Sequence, residues 1–358
     1  MRPLARVAVA ALALASAGCG IIGGVRVETI DASAQKPSNV ALYVEVTDQG
    51  EPVTSLEPKN FKVYENEELL SPKQTGKTLL ATEKFTDQHV LLLVDVSGSP
   101  AAEQKALYAS AAEAFVRKLA ADVPVTVKAF DGGPELIQAG DFPRGASKHA
   151  VPALTSVKGT DSSRNLNGAI VAGLRALDGR GGGKPIKRGT LVVFSRGPDL
   201  AGRVPEDVLS SALYESKNDV IGIVIGPDAA QLDFLPGGVV HAQDGDALPI
   251  AFEEAGSRVS ASHRKYYLVA YCSPARAGRR TVRVEVSYTD AEGNEKSGDT
   301  TYELDASGFS AGCNAETPPR FERPKPKPDG TGSEDGASSS PPGEHHVVPP
   351  PEGGDYAK

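Results

Sequence analysis

Three oxygen-bearing side chains stand at alternate positions in Asp95-Val96-Ser97-Gly98-Ser99. A tight loop can turn one carboxylate and two hydroxyls at that spacing toward a single point. Hard oxygen donors of this kind suit Mg²⁺, or Mn²⁺ and Ca²⁺ where geometry is less strict. The same residues also suit a structural role, in which Asp95, Ser97 and Ser99 cap the following helix through side-chain hydrogen bonds.

The surrounding elements decide where such a loop lies. Residues 89–94 (HVLLLV) form a continuous apolar run, the mark of a strand buried on both faces. A helix is expected over 101–121, where Leu107, Ala111, Phe115 and Leu119 recur at near-helical spacing. Further strands at 125–130, 190–194, 220–225 and 239–242 alternate with helices at 166–177, 205–216 and 247–259. That order predicts an α/β fold with a doubly wound, mainly parallel sheet covered on both faces. Ligands of such folds bind outside the carboxyl ends of the strands, which is where Asp95 falls.

DVSGS at the end of LLLV resembles the D-x-S-x-S motif of von Willebrand factor A (VWA) domains, where it forms the first loop of a metal-ion-dependent adhesion site. The resemblance covers residues 87–263, about half of the chain. It implies a domain that binds a protein or surface ligand and is not an enzyme. It also implies a threonine in a second loop and an aspartate in a third. Aligning on Asn165-Leu166 and Ala169-Ile170 puts Arg164 in the threonine place, and Thr160 serves only if that loop is longer. In VVFSRG, Arg196 stands where the aspartate is implied.

A cation thus replaces an anion beside the proposed metal. Two like charges about 4 Å apart repel by roughly 4 kcal/mol at an effective dielectric near 20, and a divalent ion doubles this. The site reads as degenerate, with Asp95, Ser97, Ser99 and Thr160 as the available metal ligands. Arg196 either pairs with Asp95 and fills the site or points away. In a metal-free alternative, Arg164 and Arg196 contact an acidic partner on the same face, as in an assembly or scaffold protein.

The flanks read as strands. VRVETI, NVALYVEVTD and FKVYENE precede the α/β unit, and KYYLVAY, TVRVEVSY and TTYEL follow it, with turn signals between them. Neither flank holds enough strands to bury a core alone. Residues 19–86 and 264–313 are expected to pack as one discontinuous β-sandwich with the α/β unit inserted. Two separate small β units are the alternative.

The N-terminus is a targeting segment. Arg2 and Arg6 precede the apolar run VAVAALALA, which is too short to span a bilayer as a helix. Ser16-Ala17-Gly18-Cys19 resembles the lipobox of bacterial lipoproteins, with Ser16 in place of the usual Leu. Residues 1–18 are then a signal peptide and Cys19 the lipidated N-terminus. Gly20 resembles outer-membrane sorting, so a cell-envelope protein facing the periplasm or the cell surface is expected. With Cys19 so assigned, Cys272 and Cys313 remain of three cysteines. An oxidising compartment favours a disulfide between them over two buried thiols.

Residues 314–358 are rich in Pro, Gly, Ser and Glu and read as a disordered tail. His345-His346 within it cannot close a metal site alone. The net charge of −8 argues against nucleic acid as a partner. Gly179-Arg180-Gly181-Gly182-Gly183-Lys184-Pro185 lacks phosphate-loop spacing and follows a helix instead of a strand. Enzymes of the haloacid-dehalogenase type carry a second Asp where this chain has Ser97. An envelope hydrolase or phosphotransfer enzyme is the remaining rival class.

Overall fold

The computed structural model describes residues 24–159, 161–180, 183–226 and 232–321. In chain order its strands are β1 (Val25–Gln35), β2 (Asn39–Asp48), β3 (Glu51–Pro52), β4 (Phe61–Glu65), β5 (Glu68–Leu69), β6 (Thr78–Leu80), β7 (Thr86–Asp95) and β8 (Val125–Phe130). There follow β9 (Ile137–Phe142), β10 (Ile186–Ser195), β11 (Asp219–Ile225), β12 (Val239–Ala242), β13 (Tyr266–Cys272), β14 (Arg279–Thr289) and β15 (Glu295–Asp305). The helices are α1 (Pro72–Thr75), α2 (Ala102–Leu119), α3 (Ala153–Ser156), α4 (Leu166–Asp178), α5 (Glu206–Glu215) and α6 (Leu248–His263).

The fold is mixed α/β. Its central sheet runs β12-β11-β10-β7-β8-β9, parallel throughout except for β9, which pairs antiparallel with β8. The apolar run in β7 serves both faces at once. Val90, Leu92 and Val94 pack with Tyr108, Phe115 and Leu119 of α2 and Phe252 of α6. Leu91 and Leu93 pack with Ile170 and Leu174 of α4 and Leu209 of α5. Because successive strand residues face opposite ways, both faces can be covered only if no polar residue interrupts the run.

In α2 the buried residues are Tyr108, Ala111, Ala112, Ala114, Phe115, Val116 and Leu119, all but Ala114 on one face of a 3.6-residue period. Leu107, expected on that face, is only partly buried. The α4 helix starts at Asn165, whose side chain accepts from Gly168 N at 3.2 Å.

Two antiparallel sheets join the flanks. One runs β1-β2-β13-β6 with β3 beside β2, and the other runs β15-β14-β4-β5. Strands from before and after the α/β unit pair directly, β13 with β2 and β14 with β4. Both sheets contribute to one apolar cluster that includes Leu42, Val44, Phe61, Val63, Val269, Tyr271, Val282 and Val284.

Cys272 and Cys313 are joined by a disulfide. Order continues past the expected start of the tail at residue 314. Ser33 Oγ donates to Arg320 O at 2.7 Å, Asn39 Nδ2 donates to Asn314 O, and Phe321 packs against a cluster containing Tyr43, Tyr266 and Leu268. Prolines at 318 and 319 do not prevent this, since the segment uses side-chain and carbonyl partners and forms no ladder. Residues 1–23, with the signal segment and Cys19, Thr160 and residues 322–358 lie outside the described residues.

Candidate functional site

The chain leaves β7, crosses α2 to β8 on one side, and later returns through α4 to β10 on the other side. The carboxyl end of β7 is therefore the point where the winding reverses, the usual place for a ligand crevice in such sheets. Asp95 is the last residue of β7 and is fully buried.

Both its oxygens accept N–H donors. Oδ1 accepts from Ser97 N at 2.9 Å. Oδ2 accepts from Arg164 Nε at 2.7 Å and from Arg196 N at 3.0 Å, and lies 3.6 Å from Arg196 Nε. The Arg196 Nη2 donates to Ser97 O and to Ser97 Oγ, the latter at 3.2 Å, and its guanidinium carbon lies 6.0 Å from the Tyr108 ring centre. Arg164 Nη1 donates to Pro198 O at 3.1 Å. Two guanidinium groups from two loops thus close over one carboxylate from a third.

The first loop turns sharply. Gly98 and Ser99 both have left-handed backbone, with φ of 65° and 51°, and Gly98 N donates to Ser162 O at 3.0 Å. Ser97 is buried and Ser99 is exposed. None of the three oxygen-bearing residues caps α2, which starts after Ala101 with no side-chain cap; Ala101 N donates to Gln104 Oε1 instead. The helix-capping role expected for Asp95, Ser97 and Ser99 is not what they do, because the left-handed turn at Gly98-Ser99 separates them from the first helical N–H groups.

Sequence reasoning missed the residues that hold the neighbouring loops. Asp131, buried just past β8, accepts from Gly133 N at 2.7 Å and from Asp161 N at 3.1 Å. Asp161 accepts from Ser163 Oγ at 2.7 Å and pairs with Arg203 at 2.9 Å. The Ser163 bonds and then Arg203 hold the Asp161 carboxyl below its ordinary value. Asp199 accepts from Asn167 N at 3.0 Å and from Gly202 N at 2.8 Å. The signal available in the sequence was position, since Asp131 and Asp199 each follow a strand end.

As arranged here, Asp95 and Ser97 offer a divalent ion few free lone pairs. A hard cation needs about six oxygen donors with free lone pairs. Here Asp95 Oδ2 and Ser97 Oγ, two of the expected metal oxygens, already face Arg164 and Arg196. Ser99 is exposed, and Thr160 is outside the described residues. No group of three or more His, Cys, Asp or Glu side chains stands in metal-binding array among the described residues.

No family model matches the chain, and no curated protein does. Among solved structures, a von Willebrand factor type A protein from Catenulispora acidiphila is similar at 11% identity over 81% of this chain and 74% of that chain, with a TM-score of 0.40. The PilB minor pilin from Streptococcus sanguinis is similar at 12% identity over 67% of this chain and 79% of that one, with a TM-score of 0.39. Proximal thread matrix protein 1 from the mussel byssus is similar at 15% identity and a TM-score of 0.38; the match covers 49% of this chain and 48% of that one.

Proposed function

We propose that this chain is an exported, lipid-anchored binding protein of the cell envelope. In this reading Cys19 carries the lipid, and the protein faces the periplasm or the cell surface from the outer membrane. The central unit is a VWA-type domain, inserted in a discontinuous β-sandwich formed by the two antiparallel sheets. It binds a protein or surface ligand through the loops at the carboxyl ends of β7, β8 and β10, and it does so without a metal ion.

The observation that carries this reading is the burial of Asp95 beneath Arg164 and Arg196 at the switch point of the sheet. A guanidinium pair supplies the positive charge a divalent ion would supply, and it fixes three loops relative to one another. A hydrolase or phosphotransfer enzyme fits less well. A nucleophile or general base needs a lone pair aimed at substrate, and both Asp95 oxygens point at protein N–H groups.

A photo-crosslinking residue at Ser99 of the full chain, in its native envelope, tests the reading. An adduct that forms at Ser99, survives EDTA and is missing from a control at Lys187 is expected. Lys187 lies at the opposite end of β10. Adducts at Lys187 alone would contradict a binding face at the strand ends. Loss of the Ser99 adduct with EDTA would contradict metal independence.

A further inference from the structure

The Cys272–Cys313 disulfide is open to solvent on one side. Both cysteines are half-buried, and both line a cleft of about 770 Å³ where β13 ends. Lys73 and Arg276 line the same cleft, as do Glu68 and Glu316, so its charges balance. Access therefore governs how a thiolate attacks here, since no net field attracts or repels it. The two sulfurs are held differently. Cys272 is the last residue of β13 and pairs with Asn39 of β2, and the next residue, Ser273, donates to Ser38 O at 2.9 Å. Cys313 lies outside every strand and helix, directly after Gly312, whose backbone is left-handed at φ 91°. Exchange needs the attacking and leaving sulfurs in line with the sulfur between them. Cys313 can turn to meet a thiolate without breaking a ladder, and Cys272 cannot.

The bond fastens a segment that no ladder holds. Residues 313–321 contain no strand or helix. Asn39 Nδ2 donates to Asn314 O, and Ser33 Oγ donates to Arg320 O at 2.7 Å. Asn39 and Ser33 are themselves buried. At the far end Phe321 packs where Tyr43, Tyr266 and Leu268 of the antiparallel sheet meet Phe85 and Ile186 at the base of the central sheet. The segment thus runs from the cleft to the seam between the two parts of the fold. With the disulfide closed, these contacts form at high effective concentration; with it open, they must hold the segment alone.

We propose that Cys272–Cys313 is a thiol–disulfide exchange site for a dithiol protein, and that reduction there unfastens residues 313–321 from the sheet and from the seam. One partner thiolate attacks Cys313 Sγ. The bond to Cys272 breaks, and its electron pair leaves on Cys272 Sγ, which takes a proton. The partner's second thiolate then attacks the partner sulfur of the mixed disulfide and releases Cys313, which also takes a proton. Two electrons and two protons have passed to the chain, and the partner's two thiols have become a disulfide. The inference is independent of what the loops at the strand ends bind.

The test treats the full chain, without denaturant, with reduced thioredoxin as the protein dithiol. Alkylation followed by intact mass should then show two new thiols. Amide exchange in residues 313–321 should rise about tenfold or more, while β7 and β10 stay protected. A thioredoxin whose second active-site cysteine is serine should be trapped on the chain, with peptide mapping placing the mixed disulfide at Cys313. The Cys272→Ser/Cys313→Ser variant should show the raised exchange in 313–321 with no reductant, which separates loss of the bond from any other effect of thioredoxin. Reduction that occurs only after urea unfolding overturns the proposal. So does a trapped adduct at Cys272, or reduction that leaves exchange in 313–321 unchanged.

Discussion

The Nε of Arg164 lies 2.7 Å from Oδ2 of Asp95, and Asp95 has no exposed surface. Strand β7 delivers the carboxylate and the loop before α4 delivers the cation, from positions 69 residues apart. The pair therefore fastens the first and second loops, and Arg196 adds the third.

Removing the shared carboxylate should be costly. Asp95→Ala leaves two part-buried guanidinium groups with no ion-pair partner among the described residues. Breaking a buried pair in this way costs roughly 3–5 kcal/mol. Urea denaturation should show a midpoint lowered accordingly, with an unchanged slope. A loss within about 0.5 kcal/mol would mean that the arginines relax into solvent and that the cluster does not hold the loops.

Stability should fall between neutral pH and about pH 4. Burial pushes the imidazoles of His89 and His263 down to about 4, from an ordinary value of 6.5. His89 bonds to Thr126 Oγ1 at 2.9 Å, and Thr126 donates to Asp141; His263 bonds to Thr190 Oγ1. Because the folded state lowers these values, the unfolded chain binds more protons throughout the interval. Their contribution is complete above pH 6.5 and is lost as pH falls toward 4, by up to about 3 kcal/mol for each histidine. The urea midpoint of the wild type should drop markedly from pH 7 to pH 4.5, and that of a His89→Gln/His263→Gln variant much less. Parallel drops in the two proteins would rule out the histidines as the cause.

The disulfide should matter for the end of the folded region. The Cys272–Cys313 bond closes a loop with a sequence separation of 41 residues. In the chain-entropy picture this stabilises by about 4 kcal/mol. Reduction should lower the denaturation midpoint and raise amide exchange first in residues 306–321, which lie against β1 and β2. Alkylation of two thiols in unreduced protein would show that the bond is absent.

Membrane attachment should depend on one residue. If Cys19 is acylated, Cys19→Ala should move the protein into the soluble fraction with its denaturation midpoint unchanged. Membrane fractionation of that variant identical to wild type would remove the lipid from the account.

Much of the central sheet was legible in the sequence because burial on both faces leaves apolar runs in the middle of β7, β10 and β11, at 90–94, 191–194 and 220–225. The antiparallel β9 was not. Its sequence, IQAGDF, mixes Gly140 and Asp141 into an apolar pattern, and it becomes a strand because β8 offers it an unpaired edge. The ordered stretch to Phe321 was hidden by its composition, which resembles that of the tail beyond it. At the site, the spacing within DVSGS singled out Asp95, and the family resemblance implied that Arg164 and Arg196 lie beside it. It could not say that both arginines turn inward, since that depends on Asp131, Asp161 and Asp199 shaping the loops, and such loop contacts leave no periodic trace.

The central claim is that a guanidinium pair occupies the place and the role of a cation at Asp95. Isothermal calorimetry with MgCl2 on the wild type and on the Arg164→Thr/Arg196→Asp variant tests it most directly. The substitutions remove two cations and add two hard oxygen donors. The account predicts no saturable Mg²⁺ binding by the wild type and clear binding by the variant, abolished by a further Asp95→Ala. Saturable, Asp95-dependent Mg²⁺ binding by the wild type would contradict it.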